Sequence, residues 1–164
     1  MENIPLALQP PNTLATIRPV RLADAEALRE HCWPERPFAA VYQLVMRARQ
    51  NALQGRGLGV VVVDETNAIK GYGQLTLWPG CAEISDLVVA APNRGQGIGT
   101  AMIQYLVRAA REMHVPCVEI GAALSNPGAV ALYRRLGFVD DHTVWLNLGD
   151  GKEPVLFLRL SLEA

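Results

Sequence analysis

The sequence predicts an α+β chain of three layers, helix, sheet and helix. The centre is a mixed, mostly antiparallel sheet of about six to seven strands, with about four helices on its two faces. Three observations carry this. Segments 58–64, 68–78 and 81–90 are apolar or alternating runs divided by short turns, which reads as an antiparallel meander. A glycine turn, a long amphipathic run and a further apolar segment at 116–124 follow. A helical crossover of that kind returns a parallel strand. Segments 138–146 and 154–162 then form a last antiparallel pair around the polar loop 147–153.

In chain order, residues 1–14 carry Pro5, Pro10 and Pro11 without periodicity and read as an irregular arm. Residues 15–164 form the domain. A short strand at 16–21 contains Pro19, which suggests an edge or a bulge. Asp24 is the expected N-cap of a helix running to Cys32. A second helix spans 38–53, with Val41, Leu44, Val45 and Ala48 on one face. The 58–64 strand has four consecutive valines at its centre. Gly71 and Gly73 in the next strand suggest a bulge or a close backbone approach. Asn126 and Pro127 are the expected N-cap and first residue of the last helix, and Gly137 its terminator.

Composition narrows the function. The chain has 164 residues, half of them hydrophobic, and a net charge of −1. That charge gives no electrostatic reason for binding nucleic acid or an anionic membrane. Neither a leader nor a spanning segment is expected, and the cytoplasm is the expected compartment. Cys32, Cys81 and Cys117 are few and odd in number, so no disulfide framework is expected. Cys81 and Cys117 read as small buried hydrophobes. His31, His114 and His142 lack ligand spacing, so no metal site is expected. Trp78 and Trp145 read as core residues, with the lining of a pocket as the alternative.

The stretch 86–100, DLVVAAPNRGQGIGT, is where chemistry concentrates. An apolar strand ends at Pro92. The turn Arg94-Gly95-Gln96-Gly97-Ile98-Gly99 follows, and then a helix whose apolar face holds Ile98, Ala101, Met102, Tyr105, Leu106 and Ala109. Free backbone N–H groups and the positive end of the dipole make such a helix start a phosphate site. Two nucleotide motifs fail here. No Lys-Ser/Thr pair follows the last glycine. The third glycine of the dinucleotide fingerprint is replaced by Thr100, or by Met102 if counting starts at Gly97. What fits is Arg-x-x-Gly-x-Gly. With these residues the chain resembles the GNAT superfamily of acyl-CoA-dependent N-acetyltransferases. Residues 126–138, NPGAVALYRRLGF, match that family's second block through Asn126, Ala129, Leu132, Tyr133, Gly137 and Phe138. The likeness is strong over 81–139.

The resemblance implies acetyl-CoA as cofactor and donor. Arg94, Gly95, Gln96, Gly97, Ile98, Gly99 and Thr100 would grip the pyrophosphate. The strand edge at Leu87, Val88 and Val89 would pair with the pantetheine arm, and Asn126 would contact it. Tyr133 would stand near the thioester sulfur. A phenol titrates near ~10 and a thiol near ~8.5, so a neutral Tyr can give a proton to a departing thiolate. Tyr133 is therefore the expected acid, with core packing as its competing role. Glu83 is the expected base, with Asp86, Glu119 and water as alternatives. Where many members that acetylate protein N-termini carry a Glu, this chain has Gly121. Arg108 and Arg111 could meet phosphates or simply face solvent.

The expected activity is transfer of acetyl from acetyl-CoA to a primary amine of a small molecule or peptide, by direct attack in a ternary complex. A non-catalytic acyl-CoA-binding sensor is the alternative. A homodimer is the one assembly the reading entertains.

Overall fold

The computed structural model describes residues 4–7 and 14–163. Eight strands form one sheet: β1 (Ile4–Ala7), β2 (Leu14–Pro19), β3 (Gly57–Val63), β4 (Ile69–Trp78), β5 (Cys81–Val89), β6 (Cys117–Ala123), β7 (Val139–Asn147) and β8 (Lys152–Ser161). Their order is β1-β2-β3-β4-β5-β6-β8-β7. Every neighbouring pair is antiparallel except β5 and β6. The helices are α1 (Ala25–His31), α2 (Phe38–Leu53), α3 (Ile98–Glu112) and α4 (Pro127–Arg135). The expected architecture holds, and β1 adds a strand within the arm that reads as irregular. Among the described residues no helix is long and apolar enough to cross a membrane.

The period of two along β3 explains the layers. Val60 and Val62 face the layer made by α3 and α4, while Val61 and Val63 face that made by α1 and α2. All seven β3 residues are buried because both faces are covered. On α3 the apolar stripe of Ile98, Met102, Tyr105, Leu106 and Ala109 is buried against Leu75, Ile84, Val118 and Ile120. Met102 and Leu106 are fully sealed, each worth about 1.5–3 kcal/mol of burial. On the opposite face Leu28, Val41, Val45 and Trp33 close over Tyr72, whose ring meets Trp33 edge-on at 5.4 Å.

Three expectations change. Asp24 stands at the N-cap position of α1, as expected, but its side chain makes no capping bond to that helix. A short 3-10 turn, Leu22–Asp24, precedes that helix, and the Asp24 carboxylate accepts from the Arg21 N–H at 2.7 Å. It also forks with the Arg18 guanidinium at 2.8 Å on both arms. Arg18 is a buried cation, which needs a buried partner. Cys81 and Cys117 are joined as a disulfide rather than packed as separate hydrophobes. They are 36 apart in sequence, and β5–β6 pairing makes them neighbours, one step before Ala82↔Val118. Trp78 and Trp145 lie on the surface, 59% and 64% exposed. Both stand near the end of a strand where no helix covers them.

Candidate active site

The parallel pair decides where a ligand can enter. β5 and β6 share only three register pairs, Ala82↔Val118, Glu83↔Glu119 and Ile84↔Ile120. β5 runs on to Val89 and β6 to Ala123 without further pairing between them. Their facing edges therefore present backbone donors and acceptors to an opening at the carboxyl ends of two parallel strands. That is where open α/β sheets hold ligands. The divergence has a local cause. β5 and β4 change register between Tyr72 and Gln74, and Asp86 takes φ +53°. An extra residue in one strand bends it. Gly73 sits opposite, and a Cβ there would lie 2.9 Å from Leu87 Cδ1. The bulge expected from Gly71 and Gly73 is thus present, and it aims Leu87 and Val89 at α3 and Val88 at the other layer.

Two helices begin at this open end. α3 starts after Gly97, which caps it with φ +82°. Gly95 has φ +77°. A Cβ at either glycine would meet nothing within 4 Å, so the space over the turn is open. Among the described residues, no turn, loop or side-chain acceptor takes the N–H groups of 95–100. The first N–H groups of a helix have no partner earlier in it, and they attract anions. The cradle therefore fits a pyrophosphate. Arg94 lies at its rim, exposed, with Nε donating to the Val89 carbonyl at 3.2 Å. Arg108 and Arg111 do not join it. They line a groove of about 510 Å³ with Ile103, Val107, Leu136 and Phe138, roughly 15 Å or more along α3 from its start.

α4 begins as expected. The Asn126 Oδ1 accepts from the Ala129 N–H at 3.2 Å, Pro127 is the first residue, and Gly137 ends the helix with φ +97°. The cap uses only the oxygen of Asn126, which leaves its amide N–H groups for a ligand. Tyr133 on α4 is 7% exposed. Burial pushes its phenol up from the usual value, so it stays protonated through neutral pH. Among the described residues its hydroxyl has no hydrogen-bond partner, and it is not sealed from solvent.

Glu83 and Glu119 stand side by side where the strands part. The first is half-buried and accepts from the Trp78 indole N–H at 3.3 Å. Glu119 is committed elsewhere, since Arg159 of β8 donates to it through both Nε and Nη2. Arg159 also lies 3.8 Å from Asp141, which holds the His142 ring at 2.7 Å. Asp86 is exposed and accepts from the Ser85 hydroxyl. Of the three carboxylates, Glu83 alone is both half-buried and, among the described residues, without a cationic partner. At Gly121 the reason for glycine is packing: a Cβ would lie 3.1 Å from the Phe157 ring, itself stacked on His142 at 5.1 Å. The Arg159 clamp and the Phe157–His142 stack escape sequence reasoning, because β7 and β8 reach β6 only through sheet order.

Residues 22–138 match the model of the acetyltransferase (GNAT) family. The chain belongs to that family. A GNAT relative, the N-alpha-acetyltransferase MAK3 of Arabidopsis thaliana, is 30% identical over 112 residues, 66% of this chain and 47% of the relative. The match thus spans about half the length of that curated relative. The ribosomal protein bS18-alanine N-acetyltransferase of Escherichia coli K12 is 23% identical over 92% of this chain and 98% of its own. Among solved GNAT structures, a ribosomal L7/L12 alpha-N-protein acetyltransferase in complex with coenzyme A superposes with a TM-score of 0.80. It is 17% identical, over 98% of both chains. A spermidine N-acetyltransferase variant from Vibrio cholerae gives 0.72 at 19% identity, over 90% of this chain and 93% of its own. At such identities the likeness establishes the fold.

Proposed function

We propose that this GNAT chain transfers an acetyl group from acetyl-CoA to a primary amine, by direct attack within a ternary complex. The observation that carries the reading is the opening between β5 and β6, with two helix N-termini at its mouth and an unbonded phenol on α4. When bound, acetyl-CoA supplies an acyl group activated as a thioester. The N–H groups from Gly95 to Thr100 would hold its pyrophosphate, with Arg94 at the rim. The free edges of β5, at Leu87 to Val89, and of β6 would hold its extended arm as an added strand, with the Asn126 amide beside it. Tyr133 keeps a proton on its hydroxyl for the departing sulfur. Glu83 takes the proton that the amine must lose, directly or through water.

The acceptor is an amine of a peptide or of a small molecule. The names of the relatives include both kinds, an alpha-N-protein acetyltransferase and a spermidine N-acetyltransferase. Release of free thiol from acetyl-CoA, measured across polyamines, aminoglycosides, amino acids and peptides, tests the reading. Amine-dependent thiol release with at least one acceptor is expected. Tight coenzyme A binding with no acetylated amine would convert the protein into an acyl-CoA sensor.

A further inference from the structure

Two cysteines sit at the closed end of the parallel junction. Within the described sheet, β5 and β6 are the pair that joins strands β1 to β5 with the block of β6, β8 and β7. Their ladder is short, running from Ala82↔Val118 to Ile84↔Ile120. Cys81 and Cys117 come one step before its first pair, with Cα atoms 4.9 Å apart. A disulfide spans that separation, and the ladder sets it whether or not the bond is made. The opening described above lies at the other end of the same two strands.

Three observations suit this pair to two states, bonded and reduced. Ala82, Ile84, Val118 and Ile120 are buried in one cluster with Met102 and Leu106 of α3. Both strands therefore stay anchored without the sulfur–sulfur bond. The Cys117 Sγ lies 3.3 Å from the Gly80 carbonyl oxygen, so a reduced thiol there has its acceptor in place. Cys81 is half-buried and follows the exposed turn Trp78-Pro79-Gly80, whereas Cys117 is buried. A thiol in solution thus approaches from the Cys81 side, with Cys117 behind it as the resolving partner. Cys32 gives the contrast. It is buried and unbonded, and burial pushes its thiol up to about 11, so it keeps its proton and takes no part in exchange.

We propose that Cys81 and Cys117 are a reversible redox site, opened by thiol reductants and closed by low-molecular-weight disulfides, which when closed staples the two halves of the sheet beside their parallel junction. Closing starts with the Cys81 thiolate attacking one sulfur of the small disulfide. A mixed disulfide forms and one small thiolate leaves. The Cys117 thiolate then attacks the Cys81 sulfur, and the second small thiolate leaves. The two cysteines give up two electrons and two protons, and the small disulfide ends as two thiols. Opening runs the same steps backwards, with the small thiol as nucleophile. The bond links residues 36 apart and so restrains the unfolded chain, which makes the closed form the more stable one. It also pins the end of the ladder, so reduction frees residues 82–84 and 118–120 to open locally. None of this depends on acetyl-CoA.

The test equilibrates the full chain in glutathione buffers of graded oxidised-to-reduced ratio. Samples are quenched in acid, denatured, alkylated and weighed by mass spectrometry. One alkylated thiol, that of Cys32, is expected at the oxidised end and all three at the reduced end. The same curve should appear from either direction. Circular dichroism should not change, while the thermal midpoint falls by about 5–15 °C on reduction. Amide exchange should show lost protection at 82–84 and 118–120. Cys81→Ser and Cys117→Ser should each hold the lower midpoint in every buffer, and Cys32→Ser should keep the full shift. Three free thiols at every ratio, one at every ratio, a reduced chain without native circular dichroism, or a midpoint shift that survives in Cys117→Ser would each overturn the proposal.

Discussion

Tyr133 is a buried phenol whose hydroxyl bonds to nothing among the described residues. Its removal therefore costs little in folding. Tyr133→Phe should keep the thermal midpoint within the scatter of a neutral substitution, about 0.5 kcal/mol. Turnover should fall by about a hundred-fold, as for loss of a general acid. An acyl donor with a more acidic leaving thiol should recover part of that rate. Full activity in a destabilised Phe variant would make Tyr133 a packing residue only. Glu83 is separable from Tyr133 by what each acts on. Glu83→Gln should lower kcat while coenzyme A affinity stays level, since a carboxylate there serves the amine. An unchanged rate would pass the role to Asp86 or water, because Arg159 already holds Glu119.

In the proposed function, the glycine turn is the element on which cofactor binding hangs. Gly97 has φ +82°, and a Cβ there would enter the open space above the turn. A β-branched residue is both strained at that φ and placed where a pyrophosphate would sit. Gly97→Val should therefore weaken coenzyme A binding far more than it lowers the thermal midpoint. Calorimetric affinity and melting, measured on the same sample, separate the two. Equal affinity in parent and variant would remove the turn from the site.

Across the whole molecule, the Arg18–Asp24–Asn67 network ties β2 to the start of α1 and to the β3–β4 turn. Arg18 donates to Asn67 Oδ1 at 3.2 Å through Nε and at 3.1 Å through Nη2. Burial raises the Asp24 carboxyl, but the Arg18 hydrogen bonds, the Arg21 N–H and both arginine charges outweigh it and hold it below the usual range. A carboxyl whose folded pKa is depressed stabilises the fold fully above its unfolded pKa, near ~4. That stability fades as pH falls through the lower folded value. Asp24→Asn should cost about 3 kcal/mol near neutral pH, because it strands a buried guanidinium. The gap in thermal midpoint between parent and variant should narrow on acidification below pH ~4. A constant gap would show that the loss does not depend on the Asp24 charge.

The sequence by itself determined the elements and the cofactor motif. Local periodicity placed the strands and helices; Gly95, Gly97, Pro127 and Gly137 act through backbone conformation, and Asn126 through a side-chain cap, within a few residues of themselves. Such signals need no distant partner. Only tertiary structure decided what depends on sheet order. β8 lies between β6 and β7, so Arg159 reaches Glu119 and Phe157 fills the space over Gly121. Pairing across 36 residues turns Cys81 and Cys117 into one bond. Burial of Arg18 takes Asp24 away from the helix cap that its position suggests. Each of these outcomes is fixed by which strands lie side by side, and that is a property of the whole sheet rather than of any local stretch of chain.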